Sequence, residues 1–169
     1  MNRICYFKFI KTINLVFGLI CFLFIPVNSH SDIKDFKDSM VALATYNVEI
    51  LTFAGDFGAT VETSTGVDFE IAYRFRNRCF EISNILYNLM PFLLIDEVAK
   101  SEDTFKEQKA KETIRTAVKA GIKRNLERME TIISDINLDL NFAKNQNLVI
   151  TGNQFKSKIR EVISKVKDR

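Results

Sequence analysis

The chain has 169 residues, 47% of them apolar and 27% charged, a globular composition that excludes collagen-like, disordered and multi-span membrane classes. Its formal net charge is +3, and it holds a single histidine, two prolines and no tryptophan. That count removes Ser-His and Cys-His nucleophilic pairs, multi-histidine zinc sites and the paired Glu-x-x-His sites of di-metal bundles.

Residues 1–29 carry Arg3, Lys8 and Lys11, no acid, and an apolar run of eleven residues from Leu15 to Ile25. Crossing a bilayer core takes about 20 apolar residues. A basic start, a shorter apolar stretch and a small-residue exit instead describe a secretory signal peptide. Pro26 ends the run and Val27-Asn28-Ser29 supplies the exit, so cleavage is expected after Ser29, with Ser31 as the second choice. An uncleaved N-terminal anchor over residues 13–27 is the alternative. Gly18-Leu19-Ile20 before Cys21 lacks the small residues that lipid attachment requires. Removing the three leader bases leaves 21 Lys+Arg against 21 Asp+Glu, so residues 30–169 read as one electrically neutral domain with no overall basic footprint for nucleic acid. Cys5 and Cys21 leave with the leader, and Cys79 remains alone as a buried apolar residue with no disulfide partner in its own chain.

The first helix is expected from Ile33. Phe36, Met40, Leu43, Ile50 and Ala54 recur at spacings that put them on one half of a helical wheel, where only Lys37 and Asn47 intrude. Ser31 and Asp32 precede it as cap and first-turn acid, and Gly55 is expected to end it. Residues 58–75 are ambiguous. Val67, Phe69, Ile71, Tyr73 and Phe75 alternate as in a strand, with Ser64-Thr65-Gly66 as a hairpin turn. The spacing of Ile71, Phe75, Ile82, Leu86 and Leu89, with Thr65 and Asp68 as a capping box, favours a helix. That helix is expected to kink or stop at Pro91, after which Phe92 to Ala99 can resume as a further turn or two.

Ser101 followed by Glu102 and Asp103 marks the next helix start. Its apolar face is Ile114, Val118, Ile122, Leu126, Met129, Ile132, Ile133 and Ile136, and Gly121 lies on that face as a point of close helix approach. Thr151-Gly152-Asn153 is read as the start of the last helix, whose apolar stripe is Phe155, Ile159, Val162, Ile163 and Val166. A short hairpin around Leu148-Val149-Ile150 is not favoured. Four amphipathic segments joined by short connections bury their stripes against one another, so the expected fold is an all-α, antiparallel bundle of about four helices, with an α+β fold carrying a hairpin in 58–75 as the alternative.

The remaining reactive side chains have bland explanations. His30 sits at the expected cleavage junction as a polar residue. Ser31/Lys34 and Ser164/Lys167 have Ser-x-x-Lys spacing without the companion Lys-Thr-Gly motif. Asp96/Glu97 and Glu102/Asp103 are sequence neighbours rather than carboxylates facing across a cleft. No catalytic, cofactor-binding or metal-binding residue is therefore assigned, and no cofactor is expected.

Charge is unevenly divided. Residues 32–97 hold 11 acids and 5 bases, whereas residues 98–169 hold 10 acids and 16 bases. The bases mingle with Glu112, Glu127 and Glu130, so no single basic groove is specified. The expected function is that of an exported, non-enzymatic helical-bundle protein of the periplasm or cell exterior, which binds a protein or small ligand. The alternative is a peripheral membrane or envelope protein docking through the basic amphipathic helix in 153–169.

Overall fold

A computed structural model describes the backbone of residues 30–100 and 108–168 and the side chains from residue 37 onward in those ranges. The leader, its cleavage site and the Ser101-Glu102-Asp103 start lie outside the described residues. Among the described residues there are four helices and no strand: α1 (His30–Thr63), α2 (Gly66–Lys100), α3 (Gln108–Leu140) and α4 (Gln146–Lys167). The fold is the expected all-α bundle.

The chain divides into two compact units, residues 1–44 and 45–169. In the first, the described residues 30–44 are the opening turns of α1, with Lys37, Asp38 and Val41 exposed. In the second, contacts between helices fix an antiparallel order. Phe57 near the end of α1 meets Phe75 near the start of α2, with ring centroids 5.3 Å apart. Arg74 near the start of α2 pairs with Asp139 at the end of α3. Asn137 of α3 accepts a hydrogen bond from Lys156 in the first half of α4, and Lys167 at the end of α4 pairs with Glu130 further back along α3. Glu49 of α1 meets Lys158 of α4 at 3.0 Å, which closes the ring of four.

The core is aromatic at one end and aliphatic along its length. Phe57, Phe75 and Phe155 are fully enclosed, and Phe53 lies against Phe155 at 5.6 Å. Ile82, Leu86, Leu89, Met129, Ile132, Ile136, Leu148 and Ile159 continue the same interior. Full burial of such a side chain contributes about 1.5–3 kcal/mol, so these stripes rather than the surface pairs hold the bundle.

Four boundaries differ from the sequence reading. First, α1 includes Ser31 and Asp32 and passes Gly55 and Gly58 to Thr63, because Phe57 extends the Ile50–Ala54 face into the core. The left-handed position is Gly66 instead, with φ 61°, where a Cβ would be strained. Second, the helix in 58–75 is interrupted by the short Ser64-Thr65 connection, and Asp68 does not close a capping box. Its Oδ1 accepts from the backbone amides of Lys144 and Asn145, tying the start of α2 to the α3–α4 turn. Third, Pro91 does not stop α2. The ring is exposed, and the following Phe92 and Leu93 are held by packing, Leu93 in the core and Phe92 against Gly121. Fourth, α4 starts before Thr151. Asn145 is its N-cap, accepting from the amides of Asn147 at 2.9 Å and Leu148 at 3.2 Å, so Leu148-Val149-Ile150 is helical.

Two glycines on helix faces serve close approach. A Cβ on Gly121 would lie 2.6 Å from the Phe92 ring, as the sequence position suggested. A Cβ on Gly152 would lie 2.8 Å from both Phe75 and Leu140, so this residue is a packing position inside α4 and not part of its cap.

Candidate functional site

The reactive residues singled out in the sequence are not assembled into a centre. Ser164 donates its hydroxyl hydrogen to Asp168, while Lys167 pairs with Glu130 at 2.8 Å, so the Ser-x-x-Lys spacing brings no serine to its lysine. Asp96 and Glu97 both pair with Lys100 at 3.3 Å, which is neutralisation at a helix end. The side chains of His30, Ser31 and Lys34, and the pair Glu102/Asp103, lie outside the described side chains. Among the described residues no three His, Cys, Asp or Glu side chains converge as metal ligands. Cys79 is enclosed. Burial pushes its thiol far above the usual range, and the Asp56 carboxylate adds to the shift, so the nucleophilic thiolate is suppressed.

One polar cluster joins α1 to α4. Tyr46 donates to Glu161 at 3.0 Å, and Lys158 pairs with Glu161 at 2.6 Å and with Glu49 at 3.0 Å while lying over the Tyr46 ring. Burial and then the Glu161 bond raise the tyrosine pKa. Lys158 first and Tyr46 second lower that of Glu161. The two glutamates in turn raise that of Lys158. Every shift moves a pKa further from 7, holding the tyrosine neutral and the lysine and glutamate charged, which suits a clasp and leaves none of the three poised to exchange a proton near pH 7.

Part of the basic half is committed in the same way. Lys119, Lys123 and Lys167 border a groove of about 440 Å³ floored by Ile122, Leu126 and Val166, but Glu127 and Glu130 stand in the same groove and pair with Lys123 and Lys167. The apolar stripe of α4, from Phe155 through Ile159 and Val162 to Val166, is buried.

What the bundle leaves open is a face of α2. At 100° per residue, Ile71, Phe75, Cys79, Ile82 and Leu86 point into the core, and Gly66, Phe69, Glu70, Tyr73, Arg76, Asn77 and Phe80 fall on the far side, all exposed. Phe69, Tyr73 and Phe80 retain 37%, 47% and 42% of their surface, large fractions for aromatic rings on a folded chain. They are ordered by their neighbours. Phe69 and Tyr73 stack one turn apart, with centroids 6.4 Å apart and an interplanar angle of 12°. The Arg76 guanidinium lies 5.9 Å over the Phe80 ring.

α1 comes near this face at Gly58, where a Cβ would reach Arg76 at 3.9 Å. Gly55 and Ala59 of the same helix are exposed. Glu70 has neither an ion pair nor a hydrogen bond among the described residues. Arg74 and Arg78 point the other way, to Asp139 and Asp135 of α3.

The sequence reading placed Phe69 and Tyr73 in an alternating pattern and did not single them out as a surface. The available signal was the spacing of Phe69, Tyr73, Arg76 and Phe80, which recurs at four, three and four. By length and composition α2 is also apolar enough to cross a membrane, the single such helix among the described residues, and a third of its most apolar window is buried. No family model, curated protein or solved structure matches the chain.

Proposed function

We propose that this chain is an exported, non-enzymatic bundle protein that works by binding another protein chain through the Phe69–Tyr73–Phe80 face of α2. The observation that carries the reading is the exposed, pre-ordered aromatic stripe with Arg76 laid over Phe80. Tyrosine, phenylalanine and arginine are the side chains enriched where protein surfaces meet, because each offers a large contact area and Tyr and Arg add hydrogen bonds. Ordering the rings before contact lowers the entropic cost of association. The export part of the proposal rests on the leader pattern in residues 1–29. Burial of Phe155, Ile159, Val162 and Val166 favours this face over the C-terminal helix as the docking element, since a membrane would have to compete with the core for that stripe.

The test is in-cell photocrosslinking with a benzophenone amino acid at Phe80, and at the exposed Lys165 as control. The reading expects a discrete protein adduct at Phe80 that is lost on adding Tyr73→Glu, and an intact mass for the accumulated chain that begins at His30. Equal labelling at both positions, or none at Phe80, overturns the binding face. A retained Met1 overturns the processed leader.

A further inference from the structure

The α2 face is self-complementary about Tyr73, and we infer that the protein it binds is a second copy of this chain, related by a two-fold axis that crosses α2 at Tyr73 with the two α2 helices antiparallel. This rests on the α2 face being a protein-binding surface.

The pattern is read outward from that residue. In an antiparallel pair about a two-fold axis, a residue a given number of positions before the centre stands level with the one the same number after it. Three positions out, the exposed Glu70 stands level with the second copy's Arg76, each displaced by about 4.5 Å along the helix from the axis. Among the described residues neither lies within ion-pair distance of an opposite charge: Arg76 is engaged with a ring and not with a carboxylate, and Arg74, which also feels the charge of Glu70, is held by Asp139. Four positions out, Phe69 stands level with Asn77, a ring facing a small amide. Seven positions out, Phe80 stands level with Gly66, where a Cβ would meet no atom within 4 Å, so a large ring of one copy faces an empty position of the other.

The charge pairing selects the centre. Matching Glu70 to Arg74 would put the axis at Ala72, which is fully buried and cannot lie on an interface. The two symmetry-related Glu70–Arg76 pairs and the two Phe80–Gly66 contacts then fix one register.

The experiment uses the full chain with its native cysteines replaced by alanine and Tyr73→Cys added, oxidised mildly in its own compartment and resolved on a non-reducing gel. Tyr73 lies on the axis, so its two copies approach within disulfide reach, roughly 4.4–6.8 Å between Cα atoms. The expected result is a disulfide-linked homodimer at least ten times more abundant than from a Lys165→Cys control. Glu70→Arg or Arg76→Glu alone should reduce it severalfold, and the two together should restore it, because the exchange preserves both pairs. A dimer insensitive to the single charge changes, or not restored by the double exchange, overturns this register. A Tyr73→Cys adduct with a different protein overturns the second copy as occupant and leaves the binding face standing. Absence of any adduct here and in the photocrosslinking experiment overturns both.

Discussion

Asn47 shows how a single residue can be legible in the sequence and still change meaning in the fold. It interrupts the apolar half of the α1 wheel, and in the structure it is buried to 4% with its Oδ1 lacking a hydrogen-bond partner. A buried amide oxygen without a partner forfeits its bonds to water, so Asn47→Leu is expected to stabilise the chain by about 1–2 kcal/mol, read as a higher urea midpoint at unchanged slope. An unchanged or lowered midpoint would show that the amide is satisfied in solution. Gly121 is the opposite case. Its place on the α3 face already signalled close approach, and Gly121→Ala would drive a methyl into the Phe92 ring, at a loss of about 1–3 kcal/mol in the same measurement. Gly152 escaped the sequence reading because Thr and Asn beside it resemble a cap. The clue was its spacing from Leu148 and Phe155, which puts it on their stripe.

At the scale of the helix, periodicity identified type well and ends poorly. The apolar spacings of α1, α3 and α4 are long-range sums over many residues, and no single polar residue erases them. Ends depend on one or two local groups, and two of these were outweighed by tertiary contacts, Phe57 carrying α1 past Gly55 and Phe92 and Leu93 carrying α2 past Pro91, while at α4 an earlier local cap, Asn145, took the place of Thr151. The seam between α2 and α3 is built from Arg78, Glu81, Asp135 and Arg128, with Glu81 accepting from both arginines at 2.7 Å. Partial burial pushes the Glu81 carboxyl up, and the bonds from Arg78 and Arg128 outweigh it, so its folded pKa lies below the ordinary value. The stabilisation is therefore complete above the unfolded carboxylate range, near pH 4.3, and disappears as the pH falls through the lower folded value. Glu81→Gln is expected to lower stability at pH 7 and to flatten its decline on acidification. A variant with the same acid limb as the parent would exclude the seam as a contributor.

Over the whole molecule, fold class was legible because four stripes of comparable length can hide only against one another. The binding face was not. The apolar residues of α2 run around much of its circumference, and which of them remain open is decided by where α1, α3 and α4 lie, a property of the assembled bundle rather than of the segment. The same assembly determines the fate of Cys79. With Cys5 and Cys21 replaced by serine, its thiol is the remaining target for a maleimide, and it sits at zero exposure on the core side of α2. Labelling is therefore expected to be negligible under native conditions and to follow the denaturant dependence of global unfolding; rapid modification in native buffer would mean that α2 opens alone. The chain thus contains its own stopwatch, a sulfur that begins counting when the four rods part.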